Sequence, residues 1–499
     1  MNSKTIVHIG SAIFGVIIGI YAISSIVLNP TGGIAGISIL IAIFGIIIGL
    51  ASPAKALVFL AIQAIYADEL KRVGVYYGVQ STQTISQILI GPLLTLCAIN
   101  VSFLYGLLRR KYRLSKLGYA IYMVAPIIAL VMAINGRNSG WGLSLYLAGT
   151  TSLYMTLVPI CTGLFKSQEE WAGFISFQVA IAAPAAVWGI WQYYNGFNAM
   201  ELSYANSGLS RVHSLQMRAP DPRIFGLFGS ASAFGCVGLY AAFAAWHTIR
   251  YRKQRILFVL LSATYLFAAV LSQQRTTLLY PFIILVFAYA FRRKITTFAF
   301  YGIMVVVFVV GAINADYLMN EGLQKINDTI QTDGKWGKNV LNVGTFSDRL
   351  KGWDRLTRKE SWSMFGTGKL LSSNANNVER DFTSQDFNHD IINKILIYCG
   401  AFGLIVVVIV GIFIMTSLHS VTFRCRGWQQ RKDSAFVLAC IFPLFILSFL
   451  AGDNFTTTPI NLQIWSIFAG VMIMRKIGSS ETIPSVSNNF LRDTNLNFK

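Results

Sequence analysis

The sequence predicts an all-α polytopic membrane protein with about 14 transmembrane helices, or 13 if one short segment does not cross. One large extracytoplasmic loop containing short helices interrupts them. Three observations carry this prediction. The 499 residues are 54% hydrophobic and only 12% charged, with a mean hydropathy of +0.56, where a soluble domain would be about a quarter charged. Apolar runs of roughly 18 or more residues recur along the chain, each able to cross a hydrocarbon core of about 30 Å as a helix. The basic clusters also fall at the ends of alternate runs, as the positive-inside rule requires.

The predicted spans are 6–28, 33–50, 54–67, 84–107, 117–134, 141–165, 171–193, 224–246, 255–272, 274–291, 295–313, 390–417, 434–451 and 457–475. The third, AKALVFLAIQAIYA, is short for a full crossing. With every span crossing once, five basic clusters share one side, which the rule makes cytoplasmic. They are Arg109 to Lys111 with Arg113, Arg250 with Arg252 and Lys253, Arg292 to Lys294, Arg424 and Arg426 with Arg431 and Lys432, and Arg475 with Lys476. Lys4 and Lys55 join them when the third span is counted, so both termini are expected inside. The opening stretch lacks a small-residue cleavage site and reads as the first span rather than a cleaved signal.

The chain thus divides into N-terminal helices (1–193), a smaller outer loop (194–223), central helices (224–313), a large outer loop (314–389), C-terminal helices (390–476) and a disordered cytoplasmic tail (477–499). The net charge of +20 does not mark a nucleic-acid binder, because much of the excess sits in the topological clusters. The six cysteines avoid both outer loops, which excludes a disulfide framework and a CxxC metal pattern. No Walker A sequence, Rossmann fingerprint, HExxH or outer DxD pair occurs.

The polar groups able to do chemistry lie in the two outer loops and at Arg275. The large loop carries ten Lys and Arg against ten Asp and Glu. From Ser347 it reads as an amphipathic helix, with Lys351, Arg355 and Arg358 on one face and Leu350, Trp353 and Leu356 roughly opposite. Such a helix lies in the interface, its cations toward headgroups or a bound phosphate. FGTG, Phe365 to Gly368, permits either a plain turn or a close backbone approach to a ligand. His389 and Asp390 stand where the loop enters the next apolar run; they either cap that helix or form a proton-accepting pair. Arg275 falls between two outer helix ends against the positive-inside bias, and must snorkel, pair or face a cavity. Arg211, Arg218 and Arg223 in the smaller loop suit a pyrophosphate or anionic sugar, or a solvated loop edge.

Several of these stretches are similar to motifs of the O-antigen ligase and polymerase superfamily of bacterial polyprenyl-glycan enzymes. RIFGLFGSASAFG from Arg223 resembles the family's arginine–glycine start of the helix after the smaller loop, and LSQQRTTLL its serine–arginine helix start. SDRLKGWDRL followed by FGTG resembles its arginine–tryptophan helix and glycine pair; HDIINKILIYCGAFGLI resembles its histidine followed by an apolar helix with Gly-x-x-Gly. Asp390 stands where the family commonly has asparagine. The resemblance covers roughly residues 170 to 420, and the first 160 match in hydropathy alone. Arg218 precedes Gly229, and Arg355 precedes Gly366, at the eleven-residue spacing noted for members described as polymerases.

The resemblance implies metal-independent glycosyl transfer on the outer face of the cytoplasmic membrane, with no cofactor. The donor is a glycan on undecaprenyl diphosphate, and the acceptor is a hydroxyl of another glycan or lipid-linked unit. Arg275, with Arg218 or Arg223, would neutralise the leaving diphosphate, and His389 would activate or orient the acceptor. Arg349 and Arg355 would clamp the glycan or diphosphate, with Asp390 beside the histidine. Polymerisation of O-antigen or exopolysaccharide repeat units is the leading expectation, and ligation to lipid A core or protein is its alternative. Membrane lipids, a chain-length regulator and a flippase are the partners implied, and nucleic acid is not. A polyprenyl-glycan flippase is the rival from another class; it would place charge along a central path within the spans, where this sequence has little.

Overall fold

The structure, a computed structural model, describes residues 29–79, 85, 88–139, 141–207, 223–229, 231–251, 254–272, 275–293, 363–366, 395–396, 399–409, 412, 416, 420, 428–450 and 458–478. The expected first span, the 295–313 span, most of the large loop and the tail lie outside the described residues.

The described chain is helical, with no strand. Helix α1, Pro30–Ala51, begins at an Asn29 cap whose side chain accepts from the Gly32 amide. Ser52 separates it from α2, Pro53–Tyr76, which opens on a proline that needs no amide partner there. Then come α3 (Gly91–Leu108), α4 (Lys116–Asn135), α5 (Trp141–Ser152), α6 (Leu157–Leu164), α7 (Gln168–Ile181), α8 (Ala183–Asn195) and α9 (Ala199–Asn206). A short α10 (Ala231–Phe234) precedes α11 (Cys236–Arg250), α12 (Arg255–Leu271) and α13 (Arg275–Ala290). The last three are α14 (Cys399–Ile409), α15 (Trp428–Leu450) and α16 (Ile460–Gly478). Among the described residues, five helical stretches are long and apolar enough to cross a membrane: Gly32–Ala51, Gly91–Leu108, Lys116–Asn135, Ser144–Leu164 and Gln168–Asn195. Shorter apolar helices accompany them. The protein is a membrane-embedded helical bundle.

Four expected boundaries change. α2 does not stop at 67 but runs to Tyr76, because Asp68–Lys71 and Glu69–Arg72 pair at i,i+3 and carry the helix beyond its apolar part. The expected 141–165 helix breaks at a 3-10 turn, Leu153–Thr156; Thr150, Ser152 and Thr156 turn their hydroxyls back onto main-chain carbonyls there, which competes with the regular ladder. The expected 171–193 helix breaks at Ala182, because Pro184 has no amide to donate and its ring crowds the preceding turn. The stretch 223–229 is not helical, so the helix expected from 224 begins at Ala231.

A broken helix inside a bilayer leaves carbonyls that water cannot reach, so neighbouring side chains must serve them. Around Ala182, the Tyr66 hydroxyl donates to the Ile181 carbonyl at 2.5 Å and the Tyr265 hydroxyl donates to the Val179 carbonyl. At the 150–156 break, Asn461 donates to the Thr150 carbonyl at 3.1 Å. Tyrosines and an amide from three other helices thus hold the breaks open.

Packing follows from small residues. α1 lies against α2 and α3, α6 and α7 against α16, α11 against α12 and α13, and α15 against α13 and α16. The α1–α3 approach runs through Gly45 and Gly49, a small-x-x-x-small pair that lets backbones come close. A Cβ at 49 would stand 2.6 Å from Ala98 Cβ, and one at 45 would strike the Thr95 hydroxyl.

One end of the bundle is tied at Asp433, which is buried. Its carboxylate accepts from Arg250 Nε at 2.9 Å, Gln168 Nε2 at 3.0 Å, and Trp246 Nε1 and Gln429 Nε2 at 3.3 Å each. Those residues join the starts of α7 and α15 to the end of α11. The segment 223–229 precedes α11, so it lies at the other end, roughly 25 Å away at 1.5 Å per residue. Exposed aromatics mark both ends: Tyr76, Tyr77, Trp141, Trp191, Tyr193 and Tyr194 at one, and Tyr105, Tyr119, Tyr289 and Trp428 at the other. Such rings sit at the two membrane–water interfaces.

Gly49→Ala is expected to lower the unfolding temperature in detergent, since overpacking a tight contact costs roughly 1–3 kcal/mol. Gly36→Ala on the same helix meets nothing within 4 Å and should leave it unchanged. Equal unfolding temperatures for the two variants would refute the close α1–α3 approach.

Candidate functional site

The end of the bundle opposite Asp433 collects the charge. Past residue 67, α2 presents Asp68, Glu69, Lys71 and Arg72 in one and a half turns. Arg72 has no solvent exposure. Its Nη1 donates to Glu69 Oε2 at 2.9 Å and to the Gly226 carbonyl at 3.0 Å, and its Nη2 donates to the Phe228 carbonyl. The guanidinium also lies over the Phe225 ring, 4.3 Å from its centroid. One arginine therefore holds the segment 223–229, RIFGLFG, from the far side of the sequence.

Gln192, at the end of α8, grips the same segment. Its Oε1 accepts from the amides of Phe225 at 3.1 Å and Gly226 at 2.8 Å, and its Nε2 donates to Glu201 at 2.5 Å. Glu201 also accepts from Trp188 Nε1 at 2.8 Å. It completes a capping box with Asn198 at the start of α9, so the smaller loop is folded here rather than open. α9 packs on α2, and Lys71 reaches both Asp68, at 2.6 Å, and the face of the Tyr204 ring. The Asp68 carboxylate occupies the space a side chain at 229 would need.

The electrostatics follow the burial. Desolvation raises the Glu69 pKa; Arg72 opposes that and the neighbouring Glu201 adds to it. Desolvation alone would lower the Lys71 pKa, but Asp68 and Tyr204 outweigh it and hold the ammonium above the ordinary lysine value. Arg223 is partly buried, and that burial lowers its pKa, though a guanidinium stays charged at neutral pH. It makes no hydrogen bond or ion pair among the described residues. Among the described residues around 223–229, Lys71 and Arg72 are paired and Arg223 is not.

Residues 363–366, which end in the first two residues of FGTG, dock at the same end. Asn135, closing α4, donates its amide to the Phe365 carbonyl, and α5, which follows, carries Tyr146 within electrostatic reach of Asp68, Lys71 and Tyr204. The Ala401 amide donates to the Ser363 carbonyl at 3.0 Å and the Phe402 amide donates to the Met364 carbonyl at 3.2 Å. The Ala401 and Phe402 amides of α14 are thus satisfied by carbonyls from outside the helix. Gly400 makes this possible with φ of +68°; a Cβ there would strike the Ser363 and Met364 carbonyls and the Gly366 amide. The first glycine of FGTG thus meets the first glycine of the Gly-x-x-Gly pair, backbone to backbone.

Of the expected site residues, Arg223 is seated as described. Arg275 begins α13, and the next turn of that helix passes α11 where Thr277 meets Gly238. Arg218, Arg349, Arg355, His389 and Asp390 lie outside the described residues. The sequence reading missed the Asp68–Arg72 group entirely. Its signal was present in DELKR, whose i,i+3 acid–base pairs extend a helix, but an apolar run ending at 67 made the group look like a loop. Compared with known protein families, curated proteins and solved structures, the chain finds no match.

Arg72→Met should destabilise the protein by about 3 kcal/mol, because it strands a mostly buried carboxylate and two carbonyls. Adding Glu69→Gln should recover part of that loss in thermal unfolding; strictly additive losses would mean that the pair is not coupled. Gly400→Ala should undock the turn. With cysteines placed at 135 and 365 in a background lacking the native ones, oxidative cross-linking should fall severalfold on adding Gly400→Ala, and unchanged cross-linking would count against the docked geometry.

Proposed function

We propose that the chain is a glycosyltransferase of the cytoplasmic membrane that joins polyprenyl-diphosphate-linked repeat units at the outer face. Around 14 helices cross, counting segments outside the described residues, and the Asp433 end faces the cytoplasm. The pairing of Arg250 with Asp433, next to Arg431 and Lys432 in the first turns of α15, supports that alternation, since both basic clusters reach one end. The charged end then faces outward.

The observation that carries this reading is Arg223: a partly buried cation, without a partner among the described residues, on a segment fixed by Arg72 and Gln192. A fixed positive charge in a poorly solvated place suits a departing diphosphate better than a mobile surface lysine does. The acceptor oxygen attacks the anomeric carbon as the bond from that carbon to the diphosphate oxygen breaks. The diphosphate leaves with the bonding electron pair, facing Arg223 and Arg275, with Arg218, Arg349 and Arg355 available from the loops. The acceptor proton passes to His389, with Asp390 beside it. Gly229, where a Cβ would strike the Asp68 carboxylate, and Gly366, with φ of +97° beside Gly400, are the two glycines at the polymerase-like spacing and support polymerisation over ligation.

Replacing His389 with alanine, in a host whose own copy is deleted, tests the reading by glycan electrophoresis. A polymerase loses the long ladder while a single unit stays attached to its anchor. A ligase loses all attached glycan while lipid-linked polymer accumulates. A wild-type profile would remove His389 from the chemistry. Arg223→Ala should lower turnover by at least about tenfold, the effect of losing one such charge contact.

A further inference from the structure

A cavity of about 400 Å³ lies between α1, α2 and α3. Along α2 its wall runs from Phe59 to Val73, roughly 21 Å at 1.5 Å per residue, so it is a groove rather than a pit. Ile41, Phe59, Ile62, Leu70, Val73 and Ile88 make it apolar. Ile62 is 38% exposed, which puts the opening on the side of the bundle. The neutral polar groups on the wall are already used. Ser38 donates to the Ile34 carbonyl, Gln63 bonds Thr95 and the Ile41 carbonyl, and Tyr66 donates to the Ile181 carbonyl. Glu69, toward the charged end, differs. Arg72 holds its Oε2, and its Oε1 has no partner among the described residues. The groove is therefore a hydrocarbon slot that ends at one open, anionic acceptor.

We propose that this groove binds one acyl chain of a bilayer phospholipid with an ammonium headgroup, of the phosphatidylethanolamine class, whose ammonium donates to Glu69. Charge complementarity selects this occupant. Lys71 is engaged by Asp68 and Arg72 by Glu69 and two carbonyls, so among the described residues no cation is left at the groove to receive a phosphate-only headgroup. A polyprenyl diphosphate would bring two anionic groups against the Glu69 carboxylate, an unfavourable like-charge contact. The inference does not rest on the glycosyl-transfer reading: it uses the groove wall and Glu69 Oε1, while Glu69 Oε2 stays with Arg72.

The test uses the full chain in detergent micelles doped with palmitoyl-oleoyl phosphatidylethanolamine, the matching phosphatidylglycerol, or undecaprenyl phosphate. Phosphatidylethanolamine should raise the unfolding temperature by a few degrees, as a ligand binding only the folded state does, and native mass spectrometry should retain it several times more than phosphatidylglycerol. Ile62→Trp, which fills the groove without touching the charges, should abolish both effects. Glu69→Gln should abolish the headgroup preference while leaving chain binding. Equal retention of the two phospholipids, an undiminished response in Ile62→Trp, or displacement of phosphatidylethanolamine by undecaprenyl phosphate would each overturn the proposal.

Discussion

A guanidinium cut off from solvent must find its partners within the protein, and Arg72 finds them in two parts of the chain more than 150 residues apart. Glu69 balances its charge, and the Gly226 and Phe228 carbonyls accept hydrogen bonds from its two Nη groups, leaving Nε without a partner among the described residues. Those carbonyls belong to a non-helical segment, which in a membrane is tolerable only where protein satisfies its polar groups. The dependence is mutual. The segment needs the arginine to stay unwound, and the arginine needs the segment to stay buried. Nearly everything at this end hangs on the pairing, because 223–229 connects the folded smaller loop to α11.

Asp433 does the same work at the other end with the sign reversed. One buried carboxylate gathers donors from α7, α11 and α15. Since α11 runs from the Arg72 node to the Asp433 node, its two ends are fixed by opposite charges, and the helices packed on it inherit that axis. Between the nodes the bundle relies on apolar burial and on neutral donors placed at helix breaks. The distribution fits a bilayer: ions cost least near the interfaces, and neutral hydrogen bonds serve the middle.

Hydropathy made the helical class and the five crossing-length helices legible, because a membrane solvent leaves so strong a compositional trace. The breaks were less so. Pro184 announces one, but the 3-10 turn at 153–156 depends on hydroxyls folding back and on Asn461 arriving from a distant helix, which no local pattern records. The candidate site was legible unevenly. Arg223 stood out by residue type just before an apolar run, and FGTG by its glycines, but that residues 363–366 meet α14 at Gly400 is a long-range fact. Asp68 to Arg72 was overlooked for a physical reason. Charged residues after an apolar run look like a loop unless their partners elsewhere are known, and those partners, Gly226, Phe228 and Tyr204, are not charged.

Three cations are described around 223–229, and the fold has consumed two of them: Lys71 by Asp68, Arg72 by Glu69 and the main chain. A protein that needed only to satisfy its own polar groups could have left neutral residues at 223, as it does at 224 to 229. Instead it keeps a cation there, partly desolvated, on the most firmly held stretch of non-helical backbone described at this end. Desolvation costs the folded chain free energy that an arriving anion would return. On the proposed glycosyl-transfer reading, an arginine beside a segment held by Arg72 and Gln192, and without a partner among the described residues, is the group that an incoming diphosphate would meet.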